Sequence, residues 1–114
     1  MIRTLIAAAA LIVNTAPSQA PQSHLTLTYA AQTVKLNCNP TGGLHPEAAQ
    51  ACAILRSTGA DPARIRPAHV MCMMLYAPVT ARLAGTWRGT RVRWSHQYGN
   101  SCEMTRATGV LFKF

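Results

Sequence analysis

The chain has 114 residues, of which 49% are apolar and only 12% are charged. This length allows a single domain with a small hydrophobic core, for which covalent reinforcement is expected. Lys and Arg number 11 against 3 acidic residues, so the formal net charge is +8 at pH 7 and few carboxylates remain for an active site.

The N-terminal segment is basic at its start and then strongly apolar. Arg3 supplies the charge, and residues 5–13 form an unbroken apolar run of nine. Small and polar residues follow as far as Ala20, which is the order of regions in a secretory signal peptide. Nine residues are too few for a membrane-spanning helix, which needs about 20. The alternative is a buried helix of the domain. We expect a signal peptide at residues 1–20, cleaved near 18–20. The mature domain, residues 21–114, would then be extracellular and without membrane attachment.

The four cysteines, Cys38, Cys52, Cys72 and Cys102, lie far apart in the sequence. In a secreted protein, an even number of cysteines indicates disulfides. Zinc is the alternative, but the spacings are not typical of zinc sites and the histidines do not flank the cysteines in pairs. We therefore expect no metal and no other cofactor. Three disulfide pairings are possible, and pairing between nearest neighbours is the simplest. It would close loops of about 15 and about 31 residues, worth roughly 3 and 3.7 kcal/mol.

Secondary structure is predicted mainly from the spacing of apolar residues. Period-two alternation predicts strands at 25–29, 34–38, 79–83, 91–98 and 110–114. Turns are expected at 30–32, 41–43 and 85–89. A helix over 48–56 would start after Pro46 and stop at Gly59, and Asp61-Pro62 would open a second short helix. Strands on both sides of a helical segment predict an α+β fold with an antiparallel sheet.

One segment, residues 69–78, fits two different structures. Three methionines surround Cys72 and are followed by Leu75 and Tyr76, and such an apolar run is typical of a buried strand. Composition alone favours that core strand. Pro67 and Pro78 flank the segment, however, and prolines are disfavoured in central strands. An extended apolar loop anchored by a disulfide is also what a protease cleft binds as substrate.

Several short stretches carry a resemblance to a known family. They are residues 25–28, His45-Pro46 before Cys52, 70–79 (VMCMMLYAPV), 85–89, 100–104 and 112–114. Together they span nearly all of residues 20–114, and the chain resembles the Streptomyces subtilisin inhibitor family. The resemblance implies a secreted inhibitor of subtilisin-like serine proteases. It also implies a five-stranded antiparallel sheet with two short helices, nearest-neighbour disulfides (Cys38–Cys52 and Cys72–Cys102) and a homodimer formed through the sheet.

The resemblance also assigns roles within the methionine-rich segment. The protease-binding loop would comprise Met71, Cys72, Met73, Met74, Leu75 and Tyr76, with the reactive bond between Met74 and Leu75. By the same resemblance, Met74 would enter the primary specificity pocket. Its unbranched, flexible and uncharged side chain is consistent with a broad apolar pocket of subtilisin or chymotrypsin type. We therefore expect strong inhibition of subtilisin and weak inhibition of trypsin. Met73 stands where many family members have proline, so a less rigid loop and lower affinity are expected.

Asn100 precedes Cys102 and has two interpretations. It could hydrogen-bond the protease-binding loop from beneath, or it could simply be a turn residue. The four histidines, His24, His45, His69 and His96, are interpreted as surface or half-buried residues, and Trp87 and Trp94 as core residues.

The basic charge suggests the alternative function, a secreted binding module for cell-wall or other anionic surfaces. The arginines are scattered, however, and their one local cluster is Arg88, Arg91 and Arg93, which a solvated strand face explains. No nucleic-acid partner is expected, since secretion removes most of them. An enzyme is not expected either, because the chain has no G-x-S-x-G motif and Asp61 is its only aspartate.

Overall fold

The structure is a computed structural model that describes residues 7–10 and 22–114. Most of the predicted signal peptide, residues 1–20, lies outside the described residues. The elements are β1 (Ser23–Tyr29), β2 (Gln32–Cys38), β3 (Gly42–Gly43), α1 (Ala48–Thr58), a 3-10 turn (Pro62–Arg64), β4 (Val79–Trp87), β5 (Thr90–Tyr98), α2 (Ser101–Thr108) and a second 3-10 turn (Gly109–Phe112). In the described ranges, no helix has the length and hydrophobicity needed to span a membrane.

The five strands form one antiparallel sheet in the order β3-β2-β1-β4-β5. This arrangement confirms the expected α+β fold with five antiparallel strands and two α-helices. On β1, Leu27 lies opposite Val34 of β2 and Leu83 of β4, and all three side chains are buried. The apolar positions of the alternating pattern therefore share one face of the sheet, which forms the core. Burial of each such side chain contributes about 1.5–3 kcal/mol.

Helix α1 covers the core face of the sheet near β2. Its inward residues Ala51, Cys52 and Leu55 are fully buried, and Cys52 is joined to Cys38 of β2 by a disulfide. The helix ends where predicted, at Gly59, which adopts a left-handed conformation. Asp61 then accepts a hydrogen bond from the N–H of Ala63 at 3.0 Å, so the predicted cap is present, although the element it opens is a 3-10 turn.

The C-terminal segment corrects one of the predictions. A strand at 110–114 was expected from the alternation of Val110, Phe112 and Phe114, but Gly109–Phe112 is a 3-10 turn. The consecutive residues Leu111 and Phe112 of this turn are both buried. In a strand with one solvated face, consecutive side chains point to opposite faces, so only one of the two would be buried. An alternation of three apolar residues is too short to distinguish the two structures.

Two segments predicted as turns contain residues that pair as strands in the structure. The turn at 41–43 contains β3, in which Gly43 pairs with Leu36; a Cβ on Gly43 would lie 2.5 Å from the carbonyl oxygen of Lys35. Within the predicted turn region 85–89, Gly85 belongs to β4, and a Cβ there would overlap the backbone of His24. Only glycine allows such close approach of neighbouring strands.

His45 was expected at the surface or half-buried, and this was wrong. It is only 5% exposed, its Nε2–H donates to the carbonyl of Leu111 at 2.9 Å, and its Nδ1 accepts from the N–H of Glu47. The side chain therefore joins the start of α1 to the C-terminal turn. Trp87 is buried as predicted, whereas Trp94 is half-buried and packs against Phe112.

Candidate functional site

The methionine-rich segment forms a surface loop between the first 3-10 turn and β4. Residues 66–78 contain neither helix nor strand. Met71 is 97% exposed, Met73 is 87% exposed and Met74 is fully exposed. The core strand that composition alone favoured is therefore wrong. Seven exposed large hydrophobic residues occur in the described part of the chain, and six of them belong to this loop: Val70, Met71, Met73, Met74, Leu75 and Tyr76.

Backbone hydrogen bonds hold the loop at both ends. The N–H of Ala68 donates to the carbonyl of Arg106 in α2 at 2.9 Å. The N–H of Ala77 donates to the carbonyl of Gly99, just before α2, at 2.8 Å. Helix α2 thus lies beneath the loop and fixes the distance between its ends.

A disulfide fixes the middle of the loop to the same helix. Cys72 is bonded to Cys102 in the first turn of α2, with the two Cα atoms 5.7 Å apart. Together with Cys38–Cys52, this is the nearest-neighbour pairing that the family resemblance implied. The loop is therefore attached covalently at Cys72, two residues before Met74.

Asn100 connects the loop to the start of α2. Its Oδ1 accepts from the N–H of Glu103 at 2.8 Å, so the side chain caps the N-terminus of α2. Its Nδ2 donates to the carbonyl of Leu75 at 2.7 Å and to that of Met73 at 3.3 Å. One buried amide therefore uses both its acceptor and its donors, and it holds the carbonyls on either side of Met74.

Met74 lies at the tip of a three-residue turn. The N–H of Leu75 donates to the carbonyl of Met73 at 2.8 Å, which closes the turn around Met74. Because Asn100 binds the two flanking carbonyls, the backbone at Met74 is held in one shape while the side chain is free in solvent. This arrangement presents one peptide bond, with its flanking groups fixed, to an approaching molecule.

Among residues 7–10 and 22–114, no group of three or more His, Cys, Asp or Glu side chains could hold a metal ion. The one resolved pKa shift in the described residues is at Tyr98 on β5, where burial raises the pKa of the phenol above 10.0.

Comparison with known proteins decides the family. Residues 9–100 match the model of the subtilisin inhibitor-like family. The chain belongs to that family. Its members are protease inhibitors, so this subtilisin inhibitor-like protein is not an enzyme.

Individual relatives agree with this membership. Subtilisin inhibitor-like protein 4 of Streptomyces lavendulae is 44% identical over 85 residues, covering 73% of each chain. Subtilisin inhibitor-like protein 1 of Streptomyces cacaoi is 39% identical over 90 residues, covering 75% of this chain and 81% of that protein. Among solved structures, Streptomyces caespitosus sermetstatin in complex with Bacillus licheniformis subtilisin is similar, with a TM-score of 0.71 and 26% identity over 82% of this chain and 99% of that chain.

Helix α2, which is capped by Asn100 and carries Cys102 in its first turn, was not predicted from its residues. A usable pattern was present, since Asn100 followed three residues later by Glu103 is a helix-start signature. The structure shows both at the first turn of α2.

Proposed function

We propose that this chain inhibits subtilisin-like serine proteases by placing residues Met71–Tyr76 in the active-site cleft as a substrate would be placed, with Met74–Leu75 as the reactive bond. The observation that carries the proposal is the pair of hydrogen bonds from Asn100 to the carbonyls of Met73 and Leu75. They flank one peptide bond in an exposed loop, in a chain whose relatives are subtilisin inhibitors.

The side chain of Met74 selects the protease. It is fully exposed, flexible and apolar, so it fits a wide apolar specificity pocket of subtilisin or chymotrypsin type. It carries no positive charge for the aspartate in a trypsin-like pocket. Inhibition of subtilisin should therefore be strong and inhibition of trypsin weak.

Inhibition follows from how the loop is anchored. The catalytic serine attacks the carbonyl of Met74, and the amine of Leu75 leaves. The carbonyl of Leu75 is held by Asn100, and Ala77 is bonded to Gly99, so the new amine stays beside the acyl-enzyme. There it attacks the ester and restores the peptide bond before water can enter. A loop already in its bound shape also loses little conformational entropy on binding.

The chain's location and assembly are part of the proposal. We infer removal of residues 1–20 as a signal peptide, cleaved near 18–20, and secretion of residues 21–114. The two disulfides support an extracellular location, because such bonds persist in oxidising compartments. N-terminal sequencing of the secreted protein tests the cleavage point. A homodimer through the sheet stays a prediction, to be measured by sedimentation equilibrium.

Titration of the purified protein into subtilisin, chymotrypsin and trypsin tests the assignment, with mass spectrometry to find any clipped bond. We expect stoichiometric inhibition of subtilisin, weak inhibition of trypsin, and slow cleavage at Met74–Leu75 alone. Equal inhibition constants for subtilisin and trypsin, or a clipped bond elsewhere, would contradict the proposal.

A pair of variants makes the test residue-specific. Met74→Lys should convert the protein into a trypsin inhibitor, because the lysine can reach the pocket aspartate. Met73→Lys places the same charge one residue earlier, in a position that is also highly exposed, and serves as the matched control. Trypsin inhibition gained by Met73→Lys, or by neither variant, would show that the reactive bond is misassigned.

A further inference from the structure

The long apolar side chains of this protein divide between core and loop by residue type. Leucine supplies most of the largest fully buried side chains of the core: Leu25, Leu27, Leu36, Leu55, Leu83 and Leu111. Methionine supplies three of the six exposed large apolar residues of loop 66–78: Met71, Met73 and Met74. The other methionine in the described part of the chain, Met104 of α2, is only 2% exposed. The thioether group therefore occurs in three exposed positions and one buried position of the same molecule.

The thioethers of the loop are the sulfur groups that a mild oxidant can reach. All four cysteines of the chain are joined in disulfides, so no thiol competes for the oxidant. Trp87 is buried and Trp94 is half-buried. A peroxide reaches a sulfur that lies in solvent, whereas a sulfur in the core is shielded by its neighbours. Exposure therefore predicts that the three loop methionines react and that Met104 does not.

We propose that Met74 is a modification site, at which oxidation of the thioether by a hydroperoxide switches off protease inhibition. The sulfur lone pair of Met74 forms the new S–O bond, the O–O bond of hydrogen peroxide breaks, and the second oxygen leaves as water. The sulfur is oxidised, the peroxide is reduced, and the product is methionine sulfoxide, which is polar and chiral. This inference rests on the proposed function, in which the same side chain enters the specificity pocket of the protease.

The sulfoxide oxygen suits the free protein but not the bound one. In the free protein the side chain of Met74 is fully exposed, so the added oxygen accepts hydrogen bonds from water. An apolar specificity pocket removes that water, and burying a polar group without a hydrogen-bond partner opposes binding. The unmodified thioether is apolar and flexible and loses no such hydrogen bonds. Oxidation of Met74 therefore weakens the complex with the protease.

The backbone of the loop does not depend on the methionine sulfurs. Asn100 binds the carbonyls of Met73 and Leu75, and the N–H of Leu75 donates to the carbonyl of Met73. The ends of the loop are held by backbone hydrogen bonds as well, and its middle by Cys72–Cys102. None of these contacts involves a thioether. The oxidised protein should therefore keep its fold, so the loss of inhibition can be separated from unfolding.

Met71 and Met73 provide an internal comparison with Met74. Both side chains are highly exposed, so a peroxide should oxidise them as well. On the proposed function, however, it is Met74 that fills the primary specificity pocket and is withdrawn from water there. Oxidation at the two neighbouring positions should therefore change the affinity for the protease less than oxidation at Met74.

The experiment treats the purified protein with dilute hydrogen peroxide at neutral pH, maps the added oxygen by peptide mass spectrometry and titrates subtilisin. We expect oxygen on the three loop methionines, with Met104 reacting at least about 10-fold more slowly. The inhibition constant of the parent should rise by at least about 10-fold as Met74 is oxidised. Methionine sulfoxide reductases for the two sulfoxide epimers should restore inhibition. Untreated protein carried through the same reductase step controls for reduction of the disulfides.

Two variants, each compared with its own untreated form, assign the effect to a residue. Met74→Leu has no sulfur at the tip of the loop, so peroxide should change its inhibition constant by less than about 2-fold. Met71→Leu/Met73→Leu keeps Met74 as the one methionine of the loop and should lose inhibition as the parent does. Thermal unfolding should be the same before and after treatment for the parent and both variants, because Met104 stays unoxidised in the core.

Three results would overturn the proposal. Oxidation of Met104 as fast as Met74 would mean that exposure does not direct the reaction. An equal loss of inhibition by treated Met74→Leu would assign the effect to another residue. A fall in thermal stability parallel to the loss of inhibition would mean that unfolding is responsible. Inhibition by the untreated parent is measured first: its absence would contradict the proposed function and the switch together, whereas the oxygen map still decides the modification site.

Discussion

The two disulfides of this protein have the same Cα separation, 5.7 Å, but very different surroundings. Cys38–Cys52 is fully buried and joins β2 to α1 within the core. Cys72–Cys102 joins an exposed loop to α2 at the surface. The first adds to packing that already holds its two elements together. The second takes the place of packing in a segment whose apolar side chains lie in solvent.

A short apolar segment can remain outside the core when contacts other than burial fix its backbone. Leu83 of β4 gains stability from burial and from pairing with β1. Met74, which precedes the same strand, gains neither, since its side chain is fully exposed. The shape of its backbone depends on Asn100, on Cys72–Cys102 and on the end contacts of the loop.

Removing each disulfide in turn tests this contrast and should have the largest effect. In Cys72→Ser/Cys102→Ser, the loop loses its central attachment, and we expect an inhibitor to become a substrate cleaved at Met74–Leu75. Cys38→Ser/Cys52→Ser is the matched control. It should lower stability by roughly 3 kcal/mol yet still inhibit at temperatures where it is folded. Inhibition constants, cleavage rates and thermal unfolding measure both effects. If Cys72→Ser/Cys102→Ser resists cleavage as well as the parent does, the surface disulfide is not needed for inhibition.

The two roles of Asn100 can be separated by a single substitution. Asn100→Asp keeps an oxygen to accept from Glu103 and so keeps the α2 cap, but it removes the donors to Met73 and Leu75. We expect inhibition about 10–100-fold weaker, because the loop loses two hydrogen bonds that hold its backbone in shape. The free energy of unfolding should fall by no more than roughly 1–3 kcal/mol, the cost of losing buried hydrogen bonds. Asn100→Ala, which also loses the cap, should destabilise the fold by a further ~1 kcal/mol. Unchanged inhibition by Asn100→Asp would remove the amide from the mechanism.

Rigidity of the loop can be raised as well as lowered. Among the described residues, the backbone N–H of Met73 donates no hydrogen bond to another backbone group, so a proline there removes none. Met73→Pro should bind subtilisin about 2–5-fold more tightly. Proline reduces the conformational entropy that the loop loses when it is ordered, and this contributes about 0.4–1 kcal/mol. Met73→Ala controls for loss of the side chain. Weaker inhibition by the proline variant than by the alanine variant would show that the backbone at Met73 is incompatible with proline.

The scaffold should respond to alkaline pH through Tyr98 on β5. Burial raises the pKa of Tyr98, so its phenol ionises at a higher pH in the folded protein than in the unfolded chain. The stability that this contributes is complete below pH 10.0 and is lost as the pH rises through the folded-state pKa. Between pH 9 and 11, the midpoint temperature of thermal unfolding should therefore fall more steeply with pH for the parent than for Tyr98→Phe. Identical slopes for the two proteins would contradict the raised pKa of Tyr98. Of the four effects predicted for the variants above, we expect this one to be the smallest.

Local patterns determined most of the scaffold. Alternation predicted β1, β2 and β5 and the start of β4, and Gly59 and Asp61 marked a helix end and a cap. These features depend on contacts within a few residues, so short windows of sequence contain them. The resemblance to the inhibitor family added the disulfide pairing and the five-stranded sheet.

Tertiary structure decided the rest. Residues 69–78 have the composition of a core strand, and only the anchoring of the loop on α2 leaves Met74 in solvent. Val110–Phe114 alternates like a strand but turns to bury Leu111 and Phe112 together. Alternation along β4 and β5 turns their arginines outward, whereas strand register brings them onto one acid-free face. In each case the outcome depends on residues distant in sequence, because burial, pairing and charge are shared between elements that meet only in the folded chain.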